Sequence, residues 1–380
     1  MGAGATSRIM IMAASSHFTS RLFLSGSVGF VLIGGLVASY GAALPAFARN
    51  FSITTEEASL ILTAQMAAAV LTILAGTMGL RGLTARRSAL LMLAGSLLMA
   101  AGINWPLTLL GGVFAGAGFG ITATYVNRAF LDGFGGKGPA MVGLVNAISA
   151  LGLIAAPLWF LAAGSSPLWL YGTLAVLSAV TLALYPAKAD SFAGAASGLP
   201  PLGPRSLGII ALNFVSGVIE TGLNGLGIAA LITLGWAESR ATQMLSGFFV
   251  AFLLARLSLY WVSQWVAPAH MFLIACAGTA ACVALAACGF EGIGYVLSGA
   301  FVGFAFPSFY VWSVDLLGPD PRMSSSVMLA GLMGGSLAPL ILQAVLAPFG
   351  LQYLFVAVAV IAGLLSLVAL ALVRRQARRS

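Results

Sequence analysis

The sequence predicts an all-α polytopic membrane protein, with twelve transmembrane helices arranged as two six-helix bundles. Three observations carry that reading. Of 380 residues, 60% are hydrophobic and 7% charged, with a mean hydropathy of +1.05. A soluble domain of this length has too little interior to hide so much apolar surface from water. The apolar runs are about twenty residues or longer, well beyond the ten or so alternating residues of a membrane β-strand, so the spans are helices. Finally, one long polar stretch and a repeated glycine pattern divide the runs six and six.

In chain order the expected spans are 22–47, 56–79, 87–104, 106–131, 138–162, 167–186, 207–235, 240–264, 269–289, 292–316, 323–347 and 351–373. Each is a continuous apolar run, and most are separated by short links rich in Gly, Pro, Arg and Asp. The first run is long and polar at its flanks, which marks a retained span instead of a cleaved leader.

The polar stretch between spans six and seven contains Lys188, Asp190, Gly194, Gly198, Pro200, Pro201, Gly203 and Pro204. It reads as a linker over 188–206, between an N-terminal bundle (1–187) and a C-terminal bundle (207–380). Internal repetition supports the division. Gly112-x-Phe114-x-Gly116-x-x-Phe119 recurs 187 residues later as Gly299-x-Phe301-x-Gly303-x-x-Phe306. Gly152-x-x-x-Ala156-Pro157 recurs 182 residues later as Gly334-x-x-x-Ala338-Pro339. Parallel six-helix halves of this kind form transporters, with the site between them at mid-depth.

Charge fixes the expected orientation. With both termini in the cytoplasm, fifteen of the seventeen lysines and arginines fall on the inner side, and Arg49 and Arg240 alone on the outer. That is a positive-inside bias, and it places the chain as a multi-pass protein of the cell membrane, of bacterial inner-membrane type. Arg256, near the end of span eight, counts here with the inner group. The tail Arg374-Arg375-Gln376-Ala377-Arg378-Arg379 reads as an anchor against anionic lipid, so the net charge of +8 does not call for a nucleic-acid partner. Cys276, Cys282 and Cys288 stand six apart on span nine, scattered around the helix, and suit neither a disulfide nor a metal.

Here the chain resembles a known family. Twelve spans as six plus six, with a central linker and both termini inside, are similar to the major facilitator superfamily. The family's loop between spans two and three carries a Gly-x-x-x-Asp-Arg-x-Gly-Arg-Arg type signature. This chain has Gly79-Leu80-Arg81-Gly82-Leu83-Thr84-Ala85-Arg86-Arg87, which keeps the glycines and arginines without the acid. Gly217-Val218-Ile219-Glu220-Thr221-Gly222, with Gly235-Trp236 and Ala255-Arg256-Leu257 following, resembles the fucose permease-like sugar:proton symporter branch. Ala255 stands where that branch has glycine, and span one holds no acid. The resemblance implies alternating access and solute–proton symport.

Glu220 is the strongest single candidate. It sits in the apolar run from Leu207 to Gly235, about 20 Å from either end at 1.5 Å per residue. An ionisable group at that depth faces a cavity, finds a partner or stays protonated. Asn213, Gly217, Glu220, Asn224 and Gly227 recur at intervals of four and three, which is one helical face. We therefore expect Glu220 as a proton-coupling site, with Asn213 and Asn224 as substrate contacts. The competing reading is a protonated carboxyl bridging two helices. No cation at the same depth is evident in the sequence. Further expected substrate contacts are Tyr40, Gln65, Asn127, Asn146, Tyr310 and Trp312, alongside Ser39 and Ser149. Arg128 and Asp132, four apart, are expected to gate the cytoplasmic mouth, with Asp315 and Arg322 as their counterpart.

The expected function is a secondary active transporter of a small organic solute, working as proton-coupled uptake of a sugar or organic acid. Proton-driven export of amphipathic compounds is an alternative, and a non-transporting membrane sensor or assembly protein is another. The Gly116-Ala117-Gly118-Phe119-Gly120 run lies in a membrane span without a preceding strand or a Lys-Ser/Thr, so it packs helices and does not bind nucleotide. With two histidines near span ends and no paired carboxylates at depth, no enzyme activity, cofactor or metal is expected. The expected partners are a small-molecule substrate, protons and the bilayer, with the chain a monomer.

Overall fold

The computed structural model describes residues 3–77, 80, 82–134, 138–185, 203–318 and 321–378. Among them the chain forms twelve α-helices and no strand. They are α1 (Ala3–Phe51), α2 (Thr55–Thr77), α3 (Ala85–Ala101), α4 (Trp105–Gly133), α5 (Gly138–Ala162), α6 (Pro167–Leu184), α7 (Pro204–Thr233), α8 (Glu238–Val262), α9 (Pro268–Ala287), α10 (Glu291–Leu317), α11 (Pro321–Leu346) and α12 (Leu354–Ala377). Eleven are long and apolar enough to cross a membrane. The exception, α3, has 17 residues and carries Arg86 and Arg87 in its first turn.

Local chemistry sets the helix ends. Thr84 caps α3 by accepting from the Arg87 amide, and Asn104 caps α4 by accepting from the Leu107 amide at 2.9 Å. Proline occupies the first turn of α4, α6, α7 and α9, where its missing N–H costs nothing. Two expected boundaries shift. The first helix begins at Ala3 and not near residue 22, because Ala- and Met-rich sequence upstream continues the helical backbone. Helix α7 begins at Pro204, inside the expected linker, because proline is pre-organised for a first turn. The rest of that linker, residues 188–202, lies outside the described residues, as does most of the Gly79–Arg87 loop's start.

Helix pairing repeats at an offset of six. The pairs α1–α5, α2–α4, α3–α4 and α3–α6 have their counterparts in α7–α11, α8–α10, α9–α10 and α9–α12. The glycines of the sequence repeat make these contacts. A Cβ on Gly116 would lie 2.0 Å from the Gln65 carbonyl of α2, and one on Gly303 2.8 Å from the Phe252 carbonyl of α8. Likewise a Cβ on Gly152 would run into the Val31 carbonyl of α1, and one on Gly334 into the Phe214 carbonyl of α7. Equivalent glycines thus clasp equivalent helices. Where lipid removes the hydrophobic drive for helices to associate, such close backbone approach supplies the packing.

Gly116→Ala should therefore lower the thermal unfolding midpoint in detergent, by an overpacking cost of about 1–3 kcal/mol. Gly363→Ala, which would meet nothing within 4 Å on α12, should leave it unchanged or raise it slightly. Equal midpoints for the two variants would contradict this account of the packing.

Candidate functional site

Helix α7 was expected to present one polar face, and the structure divides that face in two. The Nδ2 of Asn213 donates to the Val327 carbonyl of α11 at 2.7 Å, and Asn213 is fully enclosed. Gly217 lies against the Gly331 carbonyl of the same helix. Gly227 lies under the Tyr295 ring of α10, whose hydroxyl donates to the Leu223 carbonyl at 3.0 Å. These three positions form packing seams. Asn224 is nearly buried, with its backbone carbonyl against Gly41 of α1. Glu220 differs from the two asparagines: its side chain is only part-buried, well inside the helix.

Glu220 has a charged neighbour that the sequence reading lacked. Arg256 of α8 interacts with it electrostatically, across a gap wider than an ion-pair contact. Arg256 stands 18 residues beyond the start of α8, about 27 Å along the axis, while Glu220 is about 20 Å from the end of α7. Arg256 is therefore about 7 Å further from that side than Glu220 and about 9 Å short of the other end of α8, yet close enough for its charge to act on the carboxyl. Its guanidinium carbon lies 4.3 Å from the centre of the Phe252 ring, in cation–π contact. Its Nε is buried with no hydrogen-bonding protein atom against it. The signal was present in the sequence as Ala255-Arg256, eight residues short of the expected end of span eight.

The remaining candidates fall into distinct environments. On the half of the molecule towards the chain termini, Nδ2 of Asn146 on α5 donates to Oδ1 of Asn127 on α4 at 3.1 Å and to the Val142 carbonyl at 2.8 Å. Both amides are part-buried. Ser149 donates to the Asn146 carbonyl at 2.6 Å. Tyr40 and Gln65 are fully buried, and neither the Tyr40 hydroxyl nor the Gln65 amide has a hydrogen-bond partner. Tyr40 adjoins Tyr171 of α6, with ring centres 6.2 Å apart, and Ser39 donates to the Tyr171 hydroxyl at 3.3 Å.

Two aromatic candidates separate from one another. Tyr310 of α10 is 37% exposed and lies beside Phe306. Trp312 was expected to line a cavity, and the structure turns it the other way. It is fully buried against Phe272 and Phe309, and its indole N–H donates to Oε1 of Gln376 on α12 at 3.0 Å. That face of α10 meets α9, and the indole hydrogen bond ties it to α12, so Trp312 packs the helices. Of the expected gate residues, Arg128 and Asp315 are exposed near the ends of α4 and α10. The side chains of Asp132 and Arg322 lie outside the described residues, and with them the two expected gate pairings.

The arrangement offers one carboxylate and one guanidinium inside the spans of α7 and α8, and a pair of neutral amides on α4 and α5. The described residues hold no group of three or more His, Cys, Asp or Glu placed to bind a metal. Cys276, Cys282 and Cys288 are all free thiols.

No protein-family model matches the chain, and no curated protein is a detectable relative. Solved structures do match. A variant of the nucleoside transporter NupG aligns over 92% of this chain and 99% of its own, with a TM-score of 0.74 and 16% identity. FucP, a major facilitator superfamily transporter captured in its outward conformation, aligns over 91% and 97%, with a TM-score of 0.61 and 17% identity. A POT family transporter in complex with a thioalcohol-conjugated peptide aligns over 92% and 96%, with a TM-score of 0.71 and 13% identity. The chain shares the fold of major facilitator superfamily transporters over nearly its whole length.

A pair of charges at depth should show coupled energetics. Glu220→Gln or Arg256→Gln alone leaves one charge without its counter-charge, a loss below the ~3–5 kcal/mol of breaking a buried contact pair, because the two are part-buried and not in contact. The double variant should be markedly more stable than the sum of the singles implies. Additive shifts in unfolding midpoint across the four proteins would show that the two groups do not sense each other.

Proposed function

We propose that this protein is a proton-coupled secondary transporter that takes up a small polar organic solute, with its binding site between two six-helix bundles. The observation that carries the reading is the Glu220–Arg256 pair, two opposite charges within electrostatic reach of each other inside the spans of two contacting helices of a transporter fold. Helix pairings repeated at an offset of six support the two-bundle arrangement, with the break at the 188–206 linker. The basic end faces the cytoplasm of a bacterial cell, by the same charge bias that the sequence shows.

Chemistry narrows the solute. Glu220 and Arg256 cancel, so the site has no net charge to recruit a strong ion. The free Nε of Arg256 and the part-buried amides of Asn127 and Asn146 offer donors and acceptors suited to hydroxyl groups. A neutral polyhydroxylated molecule such as a sugar fits that inventory best. Coupling follows from exchange of partners. When solute engages the Arg256 guanidinium, Glu220 loses its counter-charge and takes up a proton in its place. The neutral carboxyl then crosses the cycle with the solute. NupG is a nucleoside transporter and FucP a fucose:proton symporter, which accords with a hydroxyl-rich solute.

Thermal unfolding of the purified protein against sugars, nucleosides, organic acids and amphipathic drugs tests the solute class. A true ligand at 100 times its Kd adds about 2.7 kcal/mol of stability. We expect a neutral polyhydroxylated compound to give that shift and Arg256→Gln to abolish it; stabilisation by amphipathic cations alone would favour export. For coupling, Glu220→Gln should retain counterflow of that compound in proteoliposomes while losing accumulation driven by a pH gradient. Full accumulation by the variant would remove Glu220 from the coupling step.

A further inference from the structure

We propose that the ion pair between Arg49 and Glu238 is a latch that holds the transport pathway shut at the end where α1 finishes. The inference rests on the transporter reading above. Arg49 closes α1 and Glu238 opens α8, 189 residues apart, one in each six-helix set. Their contact is two-pronged, with Nη1 to Oε2 at 2.6 Å and Nη2 to Oε1 at 3.2 Å. The other polar links between the two sets lie towards the same end. Gln343 of α11 donates to the Ser59 hydroxyl of α2, Ser336 of α11 to the Thr63 carbonyl at 3.4 Å, and Ser246 of α8 to the Ile154 carbonyl of α5 at 3.4 Å.

Beneath these links the wall is tight. Gly41 of α1 abuts the Asn224 carbonyl, and Gly225 abuts the Leu62 side chain of α2. Towards the opposite end the polar groups remain part-exposed: Asn127, Asn146, Ser149, Glu220 and Arg256. Arg49 is also one of only two basic residues on its side of the sequence, where the positive-inside bias has no use for it.

The exposure of the pair suits a latch. The side chains of Arg49 and Glu238 are 56% and 24% exposed, so water takes over their solvation as they part. A buried pair would resist separation too strongly to open once per cycle. An exposed one biases the closed state over the open by up to about five-fold, enough to set a resting state without locking it. The bias weakens as salt screens the charges.

Outside accessibility reads the latch without knowledge of the solute. Cys276, Cys282 and Cys288 are replaced by alanine and Asn224→Cys is introduced as reporter, one turn from Glu220 and behind the sealed wall. Labelling by a membrane-impermeant maleimide is then followed in right-side-out vesicles. We expect labelling two- to five-fold faster in Arg49→Ala and in Glu238→Ala, and near the parent rate in the swap Arg49→Glu/Glu238→Arg. Added salt should speed labelling in the parent and have little effect in the alanine variants, a comparison that needs no damaged fold. Unchanged rates in both alanine variants, a swap as fast as the singles, or equal salt responses would each overturn the latch. Because labelling is independent of uptake, a failed latch and a failed transport assay are separable outcomes.

Discussion

A bilayer interior offers the backbone no hydrogen-bond partner, and every feature described above follows from that constraint. Peptide groups must be satisfied within each segment, so all twelve described elements are helices. Lipid then gives no reason for apolar helices to adhere, because their neighbours in the membrane are equally apolar. Contact has to come from shape. Glycines at Gly116, Gly152, Gly303 and Gly334 let one backbone settle on the next, and polar side chains such as Asn213 and Asn146 meet a carbonyl or one another. An unsatisfied charge in such a medium is a large expense, which is why the Glu220–Arg256 pair dominates the reading of the interior.

Fold was more legible than site, and the reason is the loss of contrast between inside and outside. In water, burial writes a periodic apolar stripe on a helix; in lipid both faces are apolar. Leu62 and Leu71 on α2 are 2% and 65% exposed, yet nothing in the sequence tells them apart. Span number survives this loss because it depends on run length alone. Side-chain direction does not. Trp312 was assigned to a cavity and lies between helices, and Asn213 was placed on a solute-facing stripe and binds the α11 backbone. The glycine repeat was legible because close approach tolerates no other side chain.

Glu220 stood out because an acid in a long apolar run has few innocent explanations. Arg256 was hidden for a complementary reason. A cation a few residues from the end of a span is the usual topological signal, and its long side chain can reach an interface from some depth. The contact between α7 and α8 brings its charge within electrostatic reach of the Glu220 carboxyl. Arg49 reverses the lesson. As an isolated cation on the sparsely charged side it carried no assignment, and its partner, Glu238, lies 189 residues away.

In the proposed cycle, the balance of charge between Glu220 and Arg256 also decides what the membrane voltage can do. A site holding one carboxylate and one guanidinium is electrically silent, so an empty carrier can reorient without feeling the potential. Once a proton sits on Glu220 the same site bears a single positive charge. Moving one charge through the full field is worth about 2.3 kcal/mol per 100 mV, and an interior-negative cell would draw the loaded form inward. In such a carrier the voltage acts on one half of the cycle and leaves the return to thermal motion.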